Sequence, residues 1–152
     1  MTVTDAGRFT VGVFQDVAWA QNGLSALMRA GLLRESLSVL AIASPEATAL
    51  VEELLAASPE TVRVAGLGEV VATGPIVRAL QGEMGDLERL GLSGTMRRVG
   101  FQPHDARIFE ALTAKGGVLV AIHSEPRAAD ALAVLHAYGG GNAAIGAWTG
   151  RL

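Results

Sequence analysis

Histidines, serines and carboxylates are the side chains of this chain whose types suit acid–base or nucleophilic chemistry. His104, His123 and His136 lie far apart in the sequence, and their spacing differs from that of a helical zinc motif such as His-Glu-x-x-His. Ser93 lies in the segment 91–94, Gly-Leu-Ser-Gly, but no predicted strand leads into it, as a nucleophile elbow requires. The absence of cysteine excludes disulfides, thiolate metal sites and a cysteine nucleophile. We therefore predict no metal site, no cofactor and no enzymatic activity.

A glycine-rich segment in the middle of the chain is the best candidate for binding a small ligand. Gly66-Leu-Gly68 follows a β-favouring run, and Gly74 precedes Pro75. A dinucleotide-binding loop needs a third small residue at the position of Val71, but Val70 and Val71 lie in a β-favouring run. The pattern therefore favours a turn or hairpin over a phosphate loop. The candidate ligand-binding residues are Gly66, Gly68, Gly74, His104 and His123.

The composition is that of an acidic, apolar chain with enough residues to bury a core. Of its 152 residues 50% are hydrophobic, and 12 Lys+Arg oppose 15 Asp+Glu, for a net charge of −3. This balance builds no basic face for nucleic acid. The charge-free stretch 131–150 is broken by Gly139-Gly-Gly-Asn142, which a membrane-spanning helix would not carry at its centre. We expect no nucleic-acid partner and no membrane span, and the absence of cysteine and of a leader-like N-terminus favours the cytoplasm.

The chain begins with a β-α-β pattern. Residues 9–14, Phe-Thr-Val-Gly-Val-Phe, are rich in β-formers and predict a strand. Asp16 is suited to cap the helix that follows, and Gly31 is suited to end it. A second apolar run at 36–43 predicts the next strand.

The same pattern returns near the end of the chain. Residues 117–123 predict a strand, Ser124 a helix cap, Gly139 the end of that helix, and 142–148 a weaker strand. The caps of the two segments are 108 positions apart, and so are the glycines that end their helices. The chain therefore contains a duplicated β-α-β unit.

Two such halves predict a ferredoxin-like α+β fold, a split β-α-β sandwich around a four-stranded antiparallel sheet. We expect one domain over 1–152, with halves at 9–43 and 117–148 and a long helical, glycine-rich insertion at 44–116. The predicted strands are apolar at nearly every position, which indicates that both faces of the sheet are covered. The insertion is expected to cover the face that the two repeated helices leave open.

Two tryptophans are candidates for an interface. Trp19 lies on the first predicted helix, and Trp148 ends the last predicted strand. A tryptophan at the margin of an element belongs either to the core or to an interface with another chain. Both alternatives stay open, and the second predicts a homo-oligomer.

The order of these elements resembles that of the bacterial general stress proteins, heat- or cold-induced, in which a glycine-rich insert separates two β-α-β halves. The resemblance rests on the opening strand (Val11–Phe14), on Gly74-Pro75 in the insert, and on a helix with Pro103 and Ala106 that leads into Gly116-Gly-Val-Leu-Val120. It covers most of the chain, and its motifs are structural. The family has no settled enzymatic activity, so the resemblance implies stress-associated biology and no specific chemistry.

Three functions are consistent with the sequence. The first is a non-enzymatic stress-associated protein that acts through self-association or through a protein partner. The second is a small-ligand-binding regulatory module, with its site between the sheet and the glycine-rich insert. The third is an enzyme that uses His104, Asp105 or His123. We rank them in this order because no reactive cluster is evident in the sequence.

Overall fold

A computed structural model describes residues 9–123 and 128–138. These residues form an α+β fold with five strands and six helices. The strands are β1 (Phe9–Phe14), β2 (Leu37–Ile42), β3 (Glu60–Val64), β4 (Gly68–Thr73) and β5 (Val118–His123). The helices are α1 (Val17–Arg29), α2 (Pro45–Leu54), α3 (Pro75–Gln81), α4 (Asp86–Arg98), α5 (Pro103–Ala114) and α6 (Ala128–Ala137). A single 3₁₀ turn, Arg34–Ser36, precedes β2.

The strands form one open sheet in the order β1-β5-β2-β4-β3, and every neighbouring pair is antiparallel. The strand β5 lies between β1 and β2, so those two strands run parallel to each other. Opposite positions include Leu37 with Ile122 and Val39 with Thr73. The starts of β2 and β3 and the ends of β4 and β5 therefore lie at the same edge of the fold.

The sheet differs from the predicted four-stranded sheet because the insertion 44–116 supplies two strands as well as helices. Its β3–β4 hairpin extends the sheet beyond β2. Gly66 and Gly68 have φ values of 86° and 84° in and beside the hairpin turn, and Val70 and Val71 continue into β4. The predicted strand at 142–148 lies outside the described residues, and so does Trp148.

Helices cover both faces of the sheet, as the apolar strands predicted. One face packs against α1, α2 and α6 around buried residues such as Leu24, Val51 and Leu135. The other packs against α3, α4 and α5 around Ile76, Met96 and Phe109. Within the insertion, α3, α4 and α5 therefore cover the second face, while α2 packs on the same face as α1 and α6.

Local signals set several of these boundaries. The Asp16 side chain accepts a hydrogen bond from Trp19 N at 3.0 Å and caps α1, as predicted. Gly31 follows α1 with a φ of 95°. Inside α1, a Cβ on Gly23 would overlap the ring of Phe14. The absence of a side chain at Gly23 is therefore what allows α1 to pack closely on the end of β1.

None of the helices in the described part of the chain is both long enough and apolar enough to cross a membrane.

Candidate functional site

A cleft opens at the edge of the sheet where β2 and β3 begin and β4 ends. We call it the α3 cleft, because α3 forms one of its walls. Its first lobe has a volume of about 470 Å³ and is lined by Arg34, Glu35, Leu37, Leu55, Ala56, Ala57, Thr73, Gly74, Pro75 and Arg78. A second cavity of about 410 Å³ shares Thr73, Gly74 and Arg78 with the first and adds Glu60, Val77, Gln81 and Gly82. The two adjoining cavities are the two lobes of the α3 cleft. Three segments of the chain, 34–37, 55–60 and 73–82, line them.

Gly74 brings the start of α3 against β2. Its φ is 106°, and a Cβ there would lie 2.5 Å from the Leu37 carbonyl oxygen and would overlap Ser38. The buried Ser38 Oγ accepts a hydrogen bond from Ile76 N at 3.0 Å, and the Gly74 carbonyl accepts one from Val77 N at 3.1 Å. The first N–H groups of α3 are therefore satisfied within the protein, and recognition in the cleft falls to side chains.

Four exposed charged side chains border the cleft: Arg34 and Glu35 in the first lobe, Glu60 in the second, and Arg78 between them. Within residues 9–123 and 128–138, the ion pairs involve Arg63, Arg89 and Arg98, with Glu69 or Asp86 as partners. None of the four side chains at the cleft takes part in these pairs. A guanidinium presents several donors in a planar fork, which suits a carboxylate or phosphate.

The cleft also contains a residue in an uncommon backbone conformation. Ala56 has a φ of 51°, and it is the single non-glycine residue with positive φ in the described part of the chain. It directly follows Leu55, the C-cap of α2. Positive φ at this position ends many helices, but glycine usually supplies it. An alanine here keeps a mild strain in the wall of the first lobe.

Polar contacts fix the far end of α3. Arg98 Nη2 donates to the carbonyls of Ala79 and Leu80 at 2.8 and 2.9 Å, and Arg98 Nε lies 2.8 Å from Asp86 Oδ2. The Gln81 Oε1 accepts a hydrogen bond from Leu87 N at 3.0 Å. These contacts tie the last turn of α3 to α4, so the wall that carries Arg78 is held at both ends.

Another cavity, of about 350 Å³, lies at the opposite edge of the sheet, where β1 and β2 end and β5 begins. Its polar lining includes Ser44 and Lys115. Ser44 Oγ already accepts a hydrogen bond from Ala47 N at 3.0 Å as the cap of α2. This cavity therefore offers fewer uncommitted polar groups than the α3 cleft.

The residues predicted to bind a ligand separate in the structure. Gly74 lies in the cleft, whereas Gly66 and Gly68 lie at the other end of β4. His123 ends β5 at the same edge of the sheet as the cleft, with its ring centroid 5.1 Å from that of Phe9. His104 lies in the first turn of α5. Neither histidine lines the cleft, so the structure does not bring the five candidates together.

No sequence motif predicted the charged residues of the cleft. Arg34 and Arg78 lie on a 3₁₀ turn and a short helix that are distant in sequence. Of the predicted interface residues, Trp19 is 44% exposed on α1. No group of three or more histidines and carboxylates in the described residues is arranged to hold a metal ion.

The chain matches no protein-family model, no curated protein and no solved structure. The resemblance to the general stress proteins therefore stays a prediction from the sequence.

Proposed function

We propose that this chain is a binding module that holds a small ligand in the α3 cleft. The observation that carries the proposal is the pair of arginines, Arg34 and Arg78, that border one cleft without an ion-pair partner among the described residues. An unpaired guanidinium beside an apolar surface binds a small oxyanion through two parallel hydrogen bonds. The apolar surface here is supplied by Leu37, Leu55 and Pro75.

The size and construction of the cleft support this proposal. Its first lobe, about 470 Å³, falls within the range of about 300–1,000 Å³ that is usual for small-molecule sites. Its walls are fixed by the buried Ser38 hydrogen bond on one side and by the Arg98 contacts on the other. A site with fixed walls loses less conformational entropy when a ligand binds.

The proposal is tested by native mass spectrometry of the freshly purified full chain and by thermal shift across a panel of small anionic and zwitterionic metabolites. We expect a co-purified mass or a concentration-dependent rise in Tm, because a ligand that binds only the folded state stabilises it. The variant Arg34→Gln/Arg78→Gln should lose both effects. Arg107→Gln is the matched control, since Arg107 is an exposed helical arginine away from the cleft. A response that is equal in both variants contradicts the proposal.

A second candidate function is self-association as a cytoplasmic stress-associated protein, which the sequence resemblance suggests. The observation that favours it is the exposed face of α1. The exposed residues Ala18, Trp19, Gln21 and Asn22 carry no charge, and Arg29 in the last turn is the one charged residue of this helix. Tryptophan and arginine are both enriched at interfaces. Light scattering after size exclusion at high concentration should show a dimer or larger oligomer, which Trp19→Ala disrupts and Leu33→Ala does not. A strict monomer contradicts this candidate.

We also propose that the complete sheet has the ferredoxin-like, split β-α-β arrangement. The support is that β5 lies between the parallel strands β1 and β2, and that α1 and α6 pack on the same face. In this arrangement the segment 142–148 pairs with β1. NMR contacts between backbone protons of β1 and of 142–148 would support the proposal, and contacts of 142–148 with β3 instead would contradict it.

A further inference from the structure

We infer that the ligand of the α3 cleft is a small zwitterion, with a carboxylate at one end and an amine at the other. This inference rests on the proposed binding function and adds the chemical class of the ligand.

The signs of the charges around the cleft carry the inference. Arg34 and Arg78 supply two positive charges, and Glu35 and Glu60 supply two negative charges. A simple anion would gain from the arginines but would also meet two carboxylates that it cannot neutralise. A simple cation would be attracted by the two carboxylates but repelled by the two arginines. A ligand with both signs is attracted by both sets, because like charges brought together cost binding energy and opposite charges favour it.

The positions of the charges suggest the orientation of the ligand. Arg78 is shared by the two lobes, Arg34 borders the first lobe, and Glu60 borders the second. A carboxylate near Arg78 leaves the amine of the same molecule beside Glu60 in the second lobe or beside Glu35 in the first. Pro75 in the first lobe and Val77 in the second offer apolar contacts to the carbon chain between the two groups.

The inference is tested with three probes of equal chain length: 5-aminopentanoate, pentanoate and pentylamine. Each is titrated into the ¹⁵N-labelled full chain, and its Kd is measured from the amide shifts around Gly74. We expect 5-aminopentanoate to bind about fivefold more tightly than pentanoate, which is the gain of one partly exposed ion pair. We expect the double variant Glu35→Gln/Glu60→Gln to remove this advantage without weakening the binding of pentanoate.

The outcomes separate the inference from the proposed function. If pentanoate binds at the cleft as tightly as 5-aminopentanoate, or if Glu35→Gln/Glu60→Gln leaves the difference intact, the zwitterion assignment is wrong and the binding function stands. If neither these probes nor any member of the metabolite panel shifts the amides around Gly74, the binding function itself is wrong. Loss of pentanoate binding in Arg78→Gln, but not in Arg107→Gln, supports the binding function, and only the difference between the two carboxylates supports the zwitterion.

Discussion

Arg98 and Asp86, the last and first residues of α4, form an ion pair in which Arg98 Nε lies 2.8 Å from Asp86 Oδ2. Gly91, with a φ of 76°, kinks α4 between them. Arg98 Nη2 also donates to the carbonyls of Ala79 and Leu80 in α3. The Asp86 side chain is 9% exposed and the Arg98 side chain 40%. Asp86 also pairs with Arg89. One guanidinium thus satisfies a buried carboxylate and the end of a short helix at once. The hydrogen bonds of Arg98, together with that between Leu87 N and Gln81 Oε1, connect the α3 wall of the cleft to α4.

The Asp86–Arg98 pair should contribute measurably to stability. We expect Asp86→Asn and Arg98→Met each to lower the free energy of unfolding by about 1–3 kcal/mol, because each leaves the other group partly buried without its partner. Urea unfolding of both single variants and of the double variant measures the coupling. Arg63→Met is the control, because the Arg63–Glu69 pair is 3.9 Å apart with both side chains more than half exposed, and we expect it to cost under about 1 kcal/mol. Strictly additive losses for Asp86 and Arg98 would show that the pair is not coupled.

Substitution of Gly74 should lower the free energy of unfolding more than substitution of Gly66 or Gly23. Gly74→Ala brings a Cβ against Leu37 O and Ser38 in addition to the strain of positive φ, so we expect a loss of about 3 kcal/mol or more. Gly66→Ala is the matched control: its φ is also positive, but a Cβ there meets no atom within 4 Å. We expect that control to cost about 1 kcal/mol. Equal losses for the two variants in chemical denaturation would mean that α3 does not approach β2 as closely as described.

Gly23 and Phe14 should behave as a size-complementary pair. Alanine is the better helix former, by about 1 kcal/mol, yet we expect Gly23→Ala to destabilise the protein by about 1–3 kcal/mol because the new Cβ overlaps the Phe14 ring. Adding Phe14→Leu should recover part of that loss, since the smaller side chain leaves room for the methyl group. The comparison is made by unfolding the two single variants and the double variant. A stabilised Gly23→Ala variant would contradict the packing of α1 on β1.

Ala56→Gly should stabilise the protein. The residue has a φ of 51° after the C-cap of α2, where glycine avoids a steric cost of about 1–2 kcal/mol but loses more entropy on folding, about 0.5–1 kcal/mol. We expect a net gain of up to about 1 kcal/mol in the free energy of unfolding. Ala57→Gly, one residue further along, should instead destabilise the protein. The φ of Ala57 is not positive, so glycine there relieves no strain and adds only its entropic cost. A loss of stability in Ala56→Gly would show that the strain is absent.

The sequence predicted the elements that local signals determine. Asp16 caps α1 and Gly31 follows it, as predicted from their types. The β-favouring run at Val70 and Val71 was predicted from the sequence to be part of a turn or hairpin. Its pairing with β2 was not predicted, because it is a long-range contact that no local pattern shows. Of the residues that line the cleft, only Gly74 was predicted to bind a ligand. Arg34 and Arg78 are distant in sequence, and they border the same cleft because α3 packs against β2.

Titration of 5-aminopentanoate into the ¹⁵N-labelled full chain locates the binding site from the amides that shift. Binding in the α3 cleft predicts that the largest shifts fall at Thr73, Gly74 and Arg78, and that Arg78→Gln abolishes them. Shifts centred instead on Ser44 and Lys115, at the opposite edge of the sheet, or shifts that Arg78→Gln leaves unchanged, would contradict the account.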